Sequence, residues 1–345
     1  MSSENFPLLT KGVYLNTAYV GLMSKPMADF RNKYENKFLY QGGNYKSDAY
    51  SSLEMTHHSL ARFFGLTPDH IFVVPNFSFG IRQAIDLLPK KLNVLLIEDD
   101  YPSLISAFHE REFKIHKIPM QAELEKGIEK RLAKNDIDVL ALSIVQYSTG
   151  LLIDIDYLKN LKKQHPNLIL IGDGTQFLGA HAFHFNTSPF DVLAASGYKW
   201  LLAGFGNGVL MISEFYLDRI QKQVTTLNER IFNGHFNILA TASLHFAIKF
   251  FEKQDFDSLI KQKVALTEKA KNSLTENGYI NPWVSKRKQH SSIFILEGDK
   301  TLYRTLVQNK IQCVLRGKGV RISFHYYNKE EDLNRLIEVL KMNRF

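Results

Sequence analysis

Short unbroken runs of aliphatic residues recur along the first 250 positions. They stand near residues 71–74, 93–98, 113–119, 138–145, 168–171, 192–195 and 209–213. An apolar run without alternation marks a strand buried on both faces, as in a parallel sheet. Between several of these runs, at 26–40, 51–64, 121–132 and 156–165, the apolar residues fall at helical spacing. Repeated strand–helix order predicts an α/β fold with a mostly parallel central sheet sandwiched by helices. From about residue 252 the pattern changes to charged amphipathic helices and short strands, which predicts a smaller α+β C-terminal domain. The expected division is 15–250 for the large domain and 1–14 with 251–345 for the small one.

Composition narrows the class. At 345 residues, 45% hydrophobic and 23% charged, the chain suits a large globular core that needs no disulfides. Cys313 is the single cysteine, which fits a reducing compartment. No apolar run approaches the roughly 20 residues of a membrane span, and the segment MSSENFPLLTKG has no apolar signal core. The expectation is a cytoplasmic protein with no membrane partner. The formal charge of +8 is scattered, with no basic run longer than Lys286–Lys288. No nucleic-acid partner is expected.

The run at 168–171 delivers a carboxylate, Asp173, at its C-terminal end, with Gln176 close behind. The run at 192–195 is followed by Ser196, Gly197, Tyr198 and Lys199. In open α/β sheets, ligands bind at the C-terminal ends of strands. One edge of one sheet therefore receives an acid and an amine. A lysine that can form a Schiff base, facing a carboxylate that can pair a pyridinium nitrogen, is what pyridoxal 5′-phosphate (PLP) chemistry requires. Residues 71–80, IFVVPNFSFG, run from a strand into a helix. Free amides and the Ser78 hydroxyl at such a helix start form an anion site. The glycines of GFGNG (204–208) precede a strand, so they are a turn and not a dinucleotide fingerprint.

DGTQ at 173–176 and SGYKWLLAGFGNG at 196–208 resemble the class V aminotransferase group of PLP enzymes, which use fold type I. That group includes cysteine desulfurases, kynureninase and isopenicillin epimerase-like proteins. YLNTA (14–18) resembles the group's N-terminal substrate loop, and Arg321, Ser323, Tyr327 and Asn328 match its R-x-S-x-x-x-Y-N. The resemblance implies Lys199 bonded to the cofactor, Asp173 at the ring nitrogen and Gln176 at the ring O3′. It implies Tyr101 stacked on the ring, and phosphate held by the Phe77 backbone, Ser78, Ser196 and Tyr198. Phe77 stands where alanine is common, and Ser78 where threonine is. Gln146 or Tyr147, in VQYSTG, would reach O3′ or the substrate carboxylate. Asn16, with Thr17 beside it, and Arg321 would bind the substrate, since a guanidinium grips a carboxylate with two parallel hydrogen bonds. His235 replaces the group's usual threonine in a segment that reaches the partner subunit's phosphate, which implies a homodimer with a shared active site.

The resemblance implies an enzyme acting on an amino acid and a keto acid, with aminotransferase as the leading label. A PLP-dependent lyase or a kynureninase-like hydrolase is the alternative, and a non-catalytic α/β binding protein is the reading from another class. Cysteine desulfurase is disfavoured, because Cys313 lies in an apolar run, IQCVL, where a free cysteine is a small buried hydrophobe.

Overall fold

The structure, a computed structural model, describes residues 3–134, 136–221, 224–317 and 319–342. After a two-residue strand β1 (Val13–Tyr14), two helices, Lys25–Gln41 and Gly43–Phe64, lead into the central sheet. Its strands are β2 (Ile71–Val74), β3 (Asn93–Ile97), β4 (Lys114–Ile118), β5 (Val139–Ser143), β6 (Ile169–Asp173), β7 (Val192–Ser196) and β8 (Gly208–Ile212). Their spatial order is β2-β8-β7-β6-β5-β3-β4. The pairings from β4 through β7 are parallel, and β8 alone runs against its neighbours on both sides.

Why the aliphatic runs lack alternation is plain from the two cores. Leu95, Leu140, Leu142, Leu170, Leu193 and Ala195 join one cluster. Val94, Leu96, Val139, Ala141, Ile169, Ile171, Val192 and Ala194 join another. Successive side chains point to opposite faces of a strand, and here both faces are covered by helices. A third cluster lies beyond the sheet. There β9 (Ile293–Glu297), β11 (Val314–Arg316) and β12 (Gly319–Ser323) form an antiparallel sheet ordered β11-β12-β9. The short β10 (Ile311–Gln312) pairs with β1, and the helices Phe256–Glu276, Lys300–Gln308 and Glu330–Met342 contribute Leu274, Leu306 and Leu336 to the cluster. The N-terminal segment is thus stitched to the C-terminal one: Leu15 N–H donates to the Gln312 carbonyl at 2.9 Å, and Ser323 N–H to the Leu15 carbonyl at 2.8 Å.

The helical expectations are met with shifted edges. Ser24 caps the first helix by accepting Met27 N–H at 3.2 Å. The second begins at Gly43, well before residue 51, and its first turns bury only Tyr45 and Ala49 among polar, exposed neighbours, a sparse apolar signal. Among the described residues no helix is long and apolar enough to cross a membrane.

Candidate active site

Asp173 is the last residue of β6 and pairs in register with Ala194 of the neighbouring β7. Lys199 lies in the turn that follows the end of β7 at Ser196. Adjacent parallel strands therefore bring the acid and the amine to one sheet edge. Both are buried, at 5% and 8% exposure. Burial pushes the Asp173 carboxyl above its ordinary range, and the Lys199 charge opposes that rise. Burial pushes the Lys199 amine down, with Asp173 opposing and the Arg321 and Arg316 guanidiniums adding to the fall. Each group's charge is felt by the other, as expected of neighbours at one sheet edge.

Local bonds hold this edge in place. Thr175 N–H donates to Asp173 Oδ1 at 2.8 Å, and Thr175 Oγ1 accepts Ser196 N–H at 3.2 Å. One threonine therefore ties the acid to the strand that carries the lysine. The N-terminal loop crosses directly over the lysine turn, where Gly21 N–H donates to the Tyr198 carbonyl at 3.0 Å. A Cβ at Gly21 would lie 2.0 Å from the Lys199 carbonyl oxygen, so only glycine permits that approach.

The turn after β2 opens a helix as expected, with one change of role. Asn76 caps the helix Phe77–Ile85 by accepting Phe79 N–H at 2.9 Å. Ser78 is therefore inside the first turn, where its hydroxyl meets Ser103 Oγ at 2.6 Å. Ser196 Oγ accepts Phe77 N–H at 2.9 Å, joining this turn to the end of β7. Tyr101 packs edge-on against Phe77 at 5.9 Å and Tyr147 at 5.7 Å between ring centroids. Tyr198 stacks on Phe205 at 4.7 Å, with Lys199 Nζ 5.6 Å from its ring centroid.

Arg321 comes from β12 and is 2% exposed. Nη1 donates to the Tyr147 carbonyl at 2.7 Å, while Nε and Nη2 are buried without a partner. Burial and the nearby Arg316 charge push its guanidinium down to about 10. Two unmet donors in a buried cation are costly unless a ligand takes them. Asn16 Oδ1 is likewise buried without a partner, and residue 16 bridges to Ser323 beside the Arg321 strand.

Other expected site residues are engaged within the chain itself. Gln176 Oε1 accepts the Trp200 indole N–H at 2.7 Å and Nε2 donates to the Ala18 carbonyl at 2.8 Å. Its amide braces the N-terminal loop against the lysine segment. Gln146 Nε2 donates to the Asp99 carbonyl at 2.9 Å and Oε1 accepts from Ser148 and Thr149. That amide shapes its own loop, and Tyr147 is the member of the pair that faces Tyr101. Thr17, fully buried, bonds the Tyr327 hydroxyl. His235 is exposed, lies 6.2 Å from the Tyr50 ring and is not brought to Lys199 within the chain. Cys313 is buried in the third core, where desolvation pushes its thiol up to about 12.

Asp100 escaped the sequence reading. It is 3% exposed, accepts Ser143 N–H at 2.8 Å and Tyr101 N–H at 2.7 Å, and so fixes the Tyr101 loop to the end of β5. Thr175 and Arg316 escaped as well. The DDYP and DGTQ strings contain the first two, but their bonds link segments far apart in sequence.

The Aminotransferase class-V family model matches residues 23–336. The chain is similar to an uncharacterized aminotransferase, YcbU, of Bacillus subtilis (strain 168), at 20% identity over 360 residues, covering 96% of this chain and 95% of the relative. It is similar to a probable cysteine desulfurase of Pyrococcus abyssi (strain GE5 / Orsay), at 21% identity over 394 residues, covering 98% and 96%. In fold it resembles C-DES, solved as a lysine-to-alanine mutant with glycine covalently linked to its PLP cofactor. There the TM-score is 0.88, with 16% identity and 99% of each chain covered.

Proposed function

The chain belongs to the aminotransferase class-V family, and from that premise we propose that it is a PLP-dependent aminotransferase acting on an amino acid, with Lys199 and Asp173 as its catalytic residues. The observation that carries the reading is the pair itself: a buried carboxylate at the end of β6 and a buried amine just beyond the adjacent strand β7, each feeling the other's charge. The fold is that of fold type I enzymes such as C-DES, and the family's cofactor is PLP. The unmet donors of Arg321, the unmet Asn16 oxygen and the helix start at Phe77 fit an anionic group and an amino acid between them.

When bound, PLP supplies an aldehyde that joins to amines and a ring that accepts electron density from the substrate Cα. Lys199 Nζ is the attachment point, and its lowered pKa favours the neutral, nucleophilic amine. A free Nζ would be the group to take the Cα proton. Asp173, kept in place by Thr175 N–H, would pair the ring nitrogen. Tyr101 offers its ring face to the cofactor. The helix start at Phe77, with Ser78 and Ser196 and with Tyr198 nearby, receives the phosphate. Arg321 Nε and Nη2 take the substrate carboxylate, and Asn16 borders the same space.

We further propose a homodimer. Phe38, Leu39, Tyr40, Tyr50 and Phe205 are exposed at 57%, 71%, 82%, 54% and 66%, more large apolar surface than single scattered residues explain. His235, exposed beside Tyr50, would then serve the phosphate of the partner. Transfer of sulfur through a cysteine is disfavoured, because Cys313 is buried and its thiol is held far from ionisation. A screen of amino acids against keto-acid acceptors tests the reading. The expected result is a new amino acid formed in step with loss of the donor. Release of sulfide, alanine or ammonia without an acceptor would replace aminotransferase by a lyase or hydrolase.

A further inference from the structure

A second guanidinium shares the Arg321 face. In the β11–β12 hairpin Val314 pairs with Arg321 and Arg316 with Gly319. Directly paired residues project on the same side, and so do residues two apart on one strand. Arg316 and Arg321 therefore stand on one face, offset along the hairpin. Arg316 is half-buried at the strand end, and its guanidinium lies 5.8 Å from the Tyr19 ring centroid, in the loop that follows Asn16. Its Nε is buried without a hydrogen-bond partner, and among the described residues it has no ion pair. Two cations on one face repel, and each costs desolvation. The arrangement makes sense if an anion other than the α-carboxylate sits between Arg316 and the lysine. Arg316 is also near enough for its charge to act on Lys199, Tyr101 and Arg321.

We propose that Arg316 is a specificity-determining residue, and that the substrate is an amino acid carrying a second anionic group, its α-carboxylate on Arg321 and its side-chain anion on Arg316. This rests on the amino-acid reading above and narrows it to one substrate class. A planar guanidinium backed by an aromatic ring is preorganised for a carboxylate. Aspartate, glutamate and cystine carry that second anion at different reach, so they also measure the distance the site requires.

The test is a titration of purified holoenzyme with these three, with asparagine and glutamine as the neutral counterparts of the first two, and with alanine as the reference for cystine, reading the shift of the lysine-linked cofactor absorption band. At least one of the three should half-saturate at about 10- to 100-fold lower concentration than its neutral reference. Arg316→Gln should erase that advantage and leave alanine within about 3-fold, while Arg316→Lys restores part of it. Melting curves with succinate against butyrate give a readout free of turnover: succinate should raise the wild-type midpoint and fail to raise that of Arg316→Gln. If alanine, asparagine and all three anionic amino acids bind alike, or if Arg316→Gln weakens them equally, the inference is overturned while the amino-acid reading stands. A wild-type band that no amino acid moves overturns both.

Discussion

Among the described residues two lysines are buried, and they differ in the groups around them. Lys199 is 8% exposed and Lys263, on the helix Phe256–Glu276, is 1% exposed. They even border the same residue: Trp200 follows Lys199 in sequence, and the Lys263 amine lies 5.7 Å from the Trp200 ring centroid. Lys263 Nζ donates to Ser292 Oγ at 2.6 Å, in a pocket completed by the Thr267 hydroxyl, and among the described residues it has no ion pair. Desolvation alone pushes it down to about 7. Lys199 is pushed down by the same cause, but a carboxylate opposes the shift and two guanidiniums with unmet donors stand nearby. A depressed lysine is therefore not a site by itself. What marks Lys199 is a set of charged groups whose bonding is incomplete without a ligand. Around Lys263 stand hydroxyls and neutral rings, with no second charged side chain bonded to it among the described residues.

The sharpest way to break this contrast is to remove each amine. Lys199→Ala should lower turnover by about 10³-fold or more, because attachment and proton transfer both go through that nitrogen. Lys263→Met should leave turnover within about 3-fold of wild type. Equal losses in the two variants would mean that the contrast is false. Next in size, Asp173→Asn should lower turnover by about 10²- to 10³-fold while the bound cofactor still absorbs, since only the partner of the ring nitrogen is lost. Steady-state rates alongside the absorption spectrum check this. Arg321→Gln should act mainly on substrate affinity, raising KM about 10- to 100-fold with a smaller change in kcat, as expected for a lost charged hydrogen-bonding partner.

The smallest effect concerns stability. Lys263 has a folded-state pKa of about 7 against an ordinary 10.5. Below about pH 7 both folded and unfolded states hold the proton, and the burial penalty is constant. Between pH 7 and 10.5 only the unfolded state still holds it, so the folded state escapes the penalty that burial sets on the charged amine while the unfolded state stays protonated. In linkage terms the unfolded state binds more protons than the folded one across this window, so this group's contribution to stability rises with pH. Lys263→Met should remove that contribution. Between pH 7 and 9 the variant should gain roughly 1–2 kcal/mol less stability than wild type, measured by urea unfolding at the two values. Parallel pH profiles for the two proteins would show that Lys263 is charged and satisfied where it stands.

Much of this was legible before any coordinates. The unbroken aliphatic runs announced strands covered on both faces, and the structure sorts their alternate residues into two cores. Asp173, Lys199 and Arg321 stood out because each follows or occupies an apolar run in a recognisable string, and the fold gathers them. The glutamines show what strings leave open. Gln146 and Gln176 are polar side chains in site-like strings, but a buried amide must bond something, and within the chain backbone groups and the Trp200 indole take both ends of these amides. That choice depends on contacts between distant segments. The same holds for Asp100, which binds the end of β5, and for Arg316, whose meaning comes from its register beside Arg321. Lys263 looked like one charged helix position among many; only the packing of Trp200 and Ser292 around it makes it buried.

The most direct measurement is reduction of the purified protein with borohydride followed by peptide mapping. The account predicts one reduced pyridoxyl group, on the peptide that contains Lys199. A label on the Lys263 peptide, or a holoprotein in which no lysine is labelled, would contradict it.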